Sequence, residues 1–175
     1  MRRIFLLGYM GVGKTTIGKE LSKRLNLTFL DLDYHIEARY HKAISLLFAE
    51  KGEDEFRRIE YSMLRETAMF EDILISTGGG TPCFFDNMAF MNGVGETVYL
   101  MASPEELAKR LERIGATRPV LNGRKGEDLR NFILENLEKR APFYLQAQII
   151  FDAGKLYSYN DVKTIVDELE KILLK

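Results

Sequence analysis

The chain has 175 residues, of which 46% are apolar and 29% are charged, and its formal net charge is −1. This length predicts one domain, spanning residues 1–175, around a single hydrophobic core. A nearly neutral chain has no overall field to hold nucleic acid, so we expect no nucleic-acid partner and only a local anion site. Its single cysteine, Cys83, excludes an internal disulfide and fits a reducing compartment.

The N-terminus carries Arg2 and Arg3 before an apolar run, as a secretion signal would. The run stops at Gly8, well short of the ~7–15 apolar residues that such a signal needs. No segment approaches the ~20 apolar residues that would span a bilayer. We therefore expect a cytoplasmic protein with no membrane partner.

The N-terminal half alternates short apolar runs with helical stripes. Its predicted elements are a strand over residues 4–7, a helix over 15–25, a strand over 28–33, one or two helices over 35–51 and a helix over 53–70. The first strand, IFLL, is wholly apolar, as a buried parallel strand should be. Ile17, Leu21 and Leu25 recur at helical spacing. Gly52 is expected to end the helical segment before it.

The C-terminal half continues the alternation. Its predicted elements are a strand over 72–76, a strand over 97–102, the helix that follows, a mobile loop over 115–126, a helix over 128–146, a strand over 147–153 and a helix over 161–174. Ser103 and Pro104 are a typical N-cap and first-turn proline. Pro142 should end or kink the helix in which it lies. Five strands separated by helices predict an α/β domain with a parallel sheet.

The segment GYMGVGKT, residues 8–15, matches the phosphate-binding pattern G-x-x-x-x-G-K-[ST] and lies between a strand and a helix. In such a loop the backbone N–H groups turn toward phosphate oxygens, and the helix adds its positive end. Lys14 can reach the β- and γ-phosphates, and Thr15 can ligate Mg²⁺. The loop therefore predicts a bound nucleoside triphosphate.

A phosphate loop serves switches, motors and kinases alike, so other segments must separate these classes. The guanine-reading segment N-K-x-D of a GTPase is not found. A helicase or motor would have a longer chain and paired acids after the strand ILIS. Here that strand is followed by Thr77 and the glycines of residues 78–80, which suggests a second ligand close to the main chain.

Asp31 and Asp33, in FLDLD, are expected to lie side by side at the end of the second strand, because alternate residues of a strand share a face. Ligands bind at such strand ends in open α/β sheets. One carboxylate can hold Mg²⁺ through water, and the other can accept a hydroxyl proton as general base. The alternative is two exposed acids that cap a helix near Tyr34. The phosphate loop favours the functional interpretation.

Three arginines stand out in the segments FRRIE, TRPVL and KRAPFY: Arg57, Arg118 and Arg140. A lone arginine on a helix is usually a solvated charge. Arg57 and Arg140 matter if they converge, because a guanidinium holds a carboxylate through two hydrogen bonds. Arg118, in the glycine-bordered loop, could swing over the triphosphate and stabilise the transferring charge.

The motifs GYMGVGKTTIG, DLD, FRRIE, STGGG, TRPVL and KRAPFY, in this order and spacing, resemble those of shikimate kinases over residues 4–152. The resemblance implies a three-layer P-loop kinase fold, with a five-stranded parallel sheet flanked by helices and a mobile lid around residues 113–126. It also implies transfer of the ATP γ-phosphate to the 3-hydroxyl of shikimate, in the route to chorismate and the aromatic amino acids. Shikimate and ATP would be the partners, Mg²⁺ the cofactor, and we expect a monomer.

The resemblance also assigns roles residue by residue. The catalytic residues would be Lys14, Asp33 and Arg118. The shikimate-binding residues would be Asp33, Arg57, Gly78, Gly79, Gly80 and Arg140. The ATP-binding residues would be Gly11, Val12, Gly13, Lys14, Thr15, Thr16, Arg110 and Arg118. The Mg²⁺ ligands would be Thr15 and Asp31. Glu60, in FRRIE, would hold Arg57 in place.

One departure and two alternatives remain. The family's adenine platform usually includes a proline after the last strand, and FDAGKLYSYNDV has none, so only Arg110 is assigned to adenine. A kinase of similar build, such as a gluconate kinase, would give no reason for Arg57 and Arg140 to meet a carboxylate. An ATP-binding regulatory or chaperone module would lack an acceptor altogether.

Cys83 is interpreted as a small apolar filler rather than a nucleophile.

Overall fold

The computed structural model describes residues 1–114, 121 and 123–175. Within these residues it contains five strands, seven α-helices and one short 3₁₀ turn at Thr81–Cys83. The strands are β1 (Arg3–Leu7), β2 (Thr28–Asp31), β3 (Ile73–Ser76), β4 (Glu96–Met101) and β5 (Ile149–Asp152). The helices are α1 (Lys14–Arg24), α2 (Leu32–Tyr40), α3 (Ile44–Thr67), α4 (Asn87–Val94), α5 (Pro104–Arg113), α6 (Gly126–Tyr144) and α7 (Tyr159–Leu173).

All five strands form one sheet in the order β2-β3-β1-β4-β5, and every neighbouring pair is parallel. The central strand β1 is buried on both faces, as a parallel sheet covered by helices requires. Ser76 pairs with Leu6 on one side and with Asp31 on the other. The carboxyl ends of β1, β2 and β3 therefore lie level, and the loops that follow them leave the sheet at one edge.

Helices cover both faces of this sheet and give the three layers that the sequence predicts. On one face, Ile17 of α1, Leu107 of α5 and Val166 of α7 join a single apolar cluster. On the other face, Ile36 of α2 and Phe56 of α3 belong to a second cluster. The predicted α/β fold with a five-stranded parallel sheet is confirmed.

The predicted strand over residues 28–33 is wrong at its end. The strand β2 stops at Asp31, and Asp33 belongs to the first turn of α2. The backbone turns here because Oδ1 of Asp31 accepts a hydrogen bond of 3.3 Å from the N–H of Tyr34, which caps the helix. The two aspartates therefore do not alternate along one strand, although both reach the same edge of the sheet.

The other predicted elements agree with the structure only in part. Helix α4 was not expected, because its eight residues carry no strong apolar stripe. Gly52 interrupts α3 as predicted, with φ 78° and ψ 170°. Pro142 lies inside α6, which ends two residues later at Tyr144 instead of at residue 146. Ser103 caps α5 as predicted, since its hydroxyl accepts from the N–H of Glu106 at 3.2 Å.

Half of the expected lid, residues 113–126, falls outside the described part of the chain, and so does Arg118. Its two ends are helical: α5 continues through Arg113, and α6 begins at Gly126. Leu121 is buried against the core. Among the described helices, none combines the length and apolar character that crossing a membrane would take.

Gly18 allows α1 to lie close to the sheet. A Cβ atom at this position would come within 2.6 Å of the Phe29 ring and 3.1 Å of Cδ1 of Leu6. We expect Gly18→Ala to lower the free energy of unfolding by about 1–3 kcal/mol through overpacking, although alanine favours helix. Urea unfolding followed by circular dichroism measures this change.

The matched control is Gly93→Ala in α4, where an added Cβ would meet no atom within 4 Å. That variant should gain up to about 1 kcal/mol from helix propensity alone. Equal stabilisation of both variants would show that the packing at Gly18 tolerates a methyl group.

Candidate active site

The phosphate loop connects β1 to α1, and α1 begins at Lys14. Gly13, which precedes this helix, has φ 105°, a left-handed conformation that favours glycine. The first turn of α1 contains no acidic residue, so no side chain of that turn offsets the positive end of the helix. Nζ of Lys14 donates to the carbonyls of Gly8 at 2.7 Å and Tyr9 at 3.2 Å, which holds the ammonium group over the loop. This arrangement suits a bound phosphate chain.

The proposed metal ligands lie together. Oγ1 of Thr15 donates to Oδ2 of Asp31 at 2.9 Å, while the other carboxylate oxygen caps α2. A hydroxyl and a carboxylate beside a phosphate site are oxygen ligands that fit Mg²⁺, which completes its shell with water and phosphate. The described residues include no cluster of three or more acidic, histidine or cysteine groups for a metal. The pair therefore suits a metal that arrives with the nucleotide.

The glycines of residues 78–80 lie against three of the predicted site residues. A Cβ atom on the first, second and third glycine would lie 2.7 Å from Oδ1 of Asp33, 3.0 Å from Nη1 of Arg140 and 2.7 Å from Nη2 of Arg57. At these distances the charged groups would have to shift to make room for a side chain. Glycine thus lets a carboxylate and two guanidinium groups, from three different helices, approach one main-chain segment this closely.

The glycine loop also touches the phosphate loop. A Cβ atom on Gly79 would be 3.5 Å from the carbonyl oxygen of Gly8, the same oxygen that accepts from Lys14. Next to it, the N–H of Thr77 donates to the carbonyl of Leu6 at 3.1 Å, which fixes the start of the loop on β1. A ligand on the glycine loop is therefore a neighbour of the phosphate end of the nucleotide.

Arg57 is held by an acidic partner and by aromatic rings. Its Nη1 donates to Oε2 of Glu60 at 2.8 Å, and Glu60 is only 1% exposed. The guanidinium also lies 4.1 Å from the ring centroid of Phe84, a cation–π arrangement. Thr81, directly after the glycines, donates to the other oxygen of Glu60. Glu60 thus holds Arg57 in place and ties it to the glycine loop.

Arg140 has no such acidic partner. Within the described part of the chain, no carboxylate forms an ion pair with it. Its guanidinium lies over the ring of Tyr9, 5.1 Å from the centroid. A partly buried cation without a counter-charge strongly favours an anionic ligand. Arg57 is thus paired with Glu60 at 2.8 Å and with Glu53 at 3.3 Å, whereas the positive charge of Arg140 is available to an anion.

A cavity of about 1290 Å³ contains part of this site. It is lined by predicted ATP, metal and acceptor residues: Gly11, Gly13, Lys14, Thr15, Thr16, Asp31, Asp33 and Gly79. Val12, also assigned to ATP, has a fully buried side chain, so only its main chain can face a nucleotide. The structure thus brings the phosphate-loop residues, both aspartates and Gly79 to one cavity. Arg57 and Arg140 do not line it and lie against the glycine loop instead.

Arg110 lies at the back of the phosphate loop and is only 7% exposed. It donates to the carbonyls of Val12 at 3.1 Å and of Ala153 and Gly154 at 2.8 Å each. Its N–H groups therefore join the phosphate loop to the turn after β5. Stacking on a base uses the face of a guanidinium rather than its N–H groups, so the assignment to adenine stays a prediction.

Three residues near the site were not singled out from the sequence: Phe84 beside Arg57, and Tyr9 and Tyr144 beside Arg140. The side chain of Tyr144 is fully buried, and its hydroxyl donates to the carbonyl of Gly79. One signal was present in the sequence. In KRAPFY, the tyrosine follows the arginine by four positions, which places both on one face of a helix.

Fold and site together define a P-loop phosphotransferase with a small-molecule acceptor pocket. The family model described as shikimate kinase matches residues 10–170. A shikimate kinase from Parabacteroides distasonis is 65% identical over 173 residues, which cover 99% of this chain and 100% of the relative. The chain belongs to the shikimate kinase family, and it is a kinase.

Solved structures agree with this assignment. A shikimate kinase from Bacteroides thetaiotaomicron matches with a TM-score of 0.96 and 50% identity, covering 99% of each chain. A shikimate kinase from Acinetobacter baumannii, solved in complex with shikimate, matches with a TM-score of 0.85 and 28% identity. The match covers 99% of this chain and 93% of that chain.

Cys83 provides a test of the environment around the two arginines. Burial raises the pKa of its thiol from 9.0 to about 11, although the charges of Arg140 and Arg57 oppose this shift. Only the thiolate is nucleophilic, so at pH 8 alkylation by iodoacetamide should be about 100-fold slower in the folded chain than in the urea-unfolded chain. Mass spectrometry reports the rate without ambiguity, since the sequence has one cysteine. Similar rates in the two states would place the thiol in water.

Proposed function

We propose that this chain transfers the γ-phosphoryl group of ATP to the 3-hydroxyl of shikimate, giving shikimate 3-phosphate and ADP in the route to chorismate and the aromatic amino acids. One observation carries the proposal. Arg57, Arg140 and Asp33 each approach one of three consecutive glycines, and that loop touches the phosphate loop. Formation of ADP that depends on shikimate tests it, and a regulatory ATP-binding module would show no such dependence.

The acceptor binds through its carboxylate. A carboxylate between Arg57 and Arg140 receives forked, charge-assisted hydrogen bonds, which fix its orientation as well as its charge. Arg140 has no ion-pair partner among the described residues, so its positive charge is available to the carboxylate of the acceptor. Main chain at residues 78–80 forms the surface beneath the ring of the acceptor. The two arginines therefore select an acidic alcohol over a neutral sugar.

Asp33 serves as general base. It lines the same cavity as Lys14 and lies against Gly78, on the acceptor side of the phosphate loop. The attacking hydroxyl oxygen forms a bond to the γ-phosphorus and gives its proton to Asp33, and the bond from phosphorus to the ADP oxygen breaks. Lys14 offsets the charge on the phosphate oxygens. Arg118, outside the described residues, is proposed to add a further positive charge above the triphosphate.

The nucleotide occupies the phosphate loop. Main-chain N–H groups at Gly11, Val12 and Gly13 surround the phosphates, with Lys14, Thr15 and Thr16 beginning the helix behind them. Thr15 and Asp31 would hold Mg²⁺, and the bound ion would neutralise part of the negative charge of the triphosphate. Arg110 is assigned to the adenine face, where its planar group can stack.

The proposal includes a single domain, a monomer, a cytoplasmic location and no nucleic-acid partner. One sheet collects strands from residue 3 to residue 152, and α7 packs on α1, which supports a single domain. ATP is supplied in the cytoplasm, which supports that location. Sedimentation equilibrium decides the oligomeric state.

Removing either guanidinium should weaken shikimate binding selectively. We expect Arg140→Ala to raise the KM for shikimate about 10- to 100-fold, the usual effect of losing hydrogen bonds to a charged group. Arg57→Ala should do the same and also lower the thermal midpoint, because Glu60 is left buried with one partner fewer. Steady-state kinetics with each substrate varied in turn, together with thermal unfolding, measures both effects.

The control for these variants is Arg130→Ala, on the same helix as Arg140. The side chain of Arg130 is 41% exposed and pairs with Glu105 on the surface, so its removal should change neither KM. The KM for ATP should stay constant in all three variants. A large and equal loss for ATP and shikimate would contradict the assignment of the arginines to the acceptor.

Asp33→Asn keeps the size of the side chain and removes its basicity. We expect kcat to fall by ~10²–10⁴, the usual contribution of a positioned base, while ATP binding is retained. Turnover from coupled ADP release, together with calorimetric titration of ATP, separates the two quantities. Asp167→Asn, at an exposed ion pair on α7, is the control. Near-normal turnover in Asp33→Asn would remove this residue from the mechanism.

A further inference from the structure

Tyr144 is the last residue of α6 and connects that helix to the glycine loop. Its side chain is fully buried, and its ring packs against the ring of Tyr99 with centroids 4.9 Å apart. Its hydroxyl donates a hydrogen bond to the carbonyl oxygen of Gly79, the middle glycine of the loop. A bond between a helix terminus and a loop 65 residues away in sequence fixes the distance between them.

Arg140 lies beside the same hydroxyl: a Cβ atom on Gly79 would be 3.0 Å from Nη1 of Arg140 and 3.7 Å from the hydroxyl oxygen of Tyr144. The two residues are one helical turn apart on α6, so they share a face. Burial raises the pKa of the Tyr144 hydroxyl, and the charge and hydrogen bond of Arg140 only partly oppose this shift. The hydroxyl therefore keeps its proton at neutral pH. A protonated hydroxyl can donate to Gly79 and still accept an N–H of Arg140 through its lone pairs.

The other contacts of Arg140 among the described residues do not set the position of its guanidinium relative to the glycine loop. Tyr9 presents the face of its ring below the guanidinium. The hydroxyl of Tyr9 is buried and has no hydrogen-bond partner among the described residues. No carboxylate of the described residues forms an ion pair with Arg140 either. Tyr144 is thus the polar side chain that positions the guanidinium of Arg140 relative to Gly79.

We infer that Tyr144 is a positioning residue, whose hydroxyl joins Arg140 to the Gly79 carbonyl and thereby sets the affinity for the carboxylate of the acceptor. This inference rests on the proposed function, because it requires an acidic acceptor between the two arginines. A purely structural interpretation is also simple: Tyr144 fills the core beside Tyr99. The two interpretations differ in what the hydroxyl alone contributes.

Tyr144→Phe removes that hydroxyl and keeps the ring. We expect the KM for shikimate to rise about 10- to 100-fold, because a hydrogen bond to a charged group is lost. The KM for ATP should be unchanged, and kcat should change by less than about threefold. Tyr99→Phe is the matched control. It removes a hydroxyl from the ring that packs against Tyr144 and should leave both KM values unchanged.

A double-mutant cycle with Arg140→Ala separates positioning from structure. If Tyr144 acts through Arg140, adding Tyr144→Phe to Arg140→Ala should change the KM for shikimate by less than about twofold. If the hydroxyl only stabilises the fold, the second substitution should have the same effect in both backgrounds. That additive result would overturn the inference.

Two further results would also overturn it: an unchanged KM for shikimate in Tyr144→Phe, or equal increases in the KM for shikimate and for ATP. Should Tyr144→Phe fail to fold by circular dichroism, Gly79→Ala disturbs the same contact. A Cβ there would lie 3.0 Å from Nη1 of Arg140 and 3.7 Å from the Tyr144 hydroxyl, and an unchanged KM for shikimate in that variant would be equally decisive. Absence of shikimate-dependent ADP formation in the unmodified chain would instead refute the proposed function.

Discussion

The structure of the site depends on the close approach of three charged side chains to one stretch of bare main chain. Asp33, Arg140 and Arg57 come from α2, α6 and α3, and a Cβ atom on the adjacent glycine of residues 78–80 would lie 2.7, 3.0 and 2.7 Å from them. The approach is possible because β3 lies between β2 and β1, so that its glycine loop emerges between the loops that carry the other groups. Sheet order and glycine composition together create the pocket.

Charge balance explains why two arginines can face one small space. Glu60 compensates Arg57 and is itself bonded to Thr81, so this pair is stable without a ligand. Arg140 is stabilised by the Tyr9 ring and the Tyr144 hydroxyl, neither of which cancels its charge. The positive charge of Arg140 therefore remains available to a carboxylate of the acceptor. At the neighbouring phosphate loop, Lys14 and the end of α1 supply a separate positive site.

Most of the fold and the named motif residues could be predicted from the sequence, because strand runs, helix stripes and the phosphate pattern are local signals. The boundary at Asp31 could not, since alternation alone does not distinguish a strand residue from a helix cap. Helix α4 lacks a strong stripe and was missed. Tyr144 could be placed beside Arg140 by spacing, but its bond to Gly79 depends on tertiary packing that no local pattern encodes.

The most direct test of this account compares shikimate with its methyl ester as acceptors for the unmodified enzyme. The ester keeps the ring and every hydroxyl, adds one methyl group, and removes the negative charge that Arg57 and Arg140 are proposed to bind. The account predicts that kcat/KM falls about 100-fold or more for the ester, while the KM for ATP is constant. Equal values of kcat/KM for the acid and the ester would contradict it.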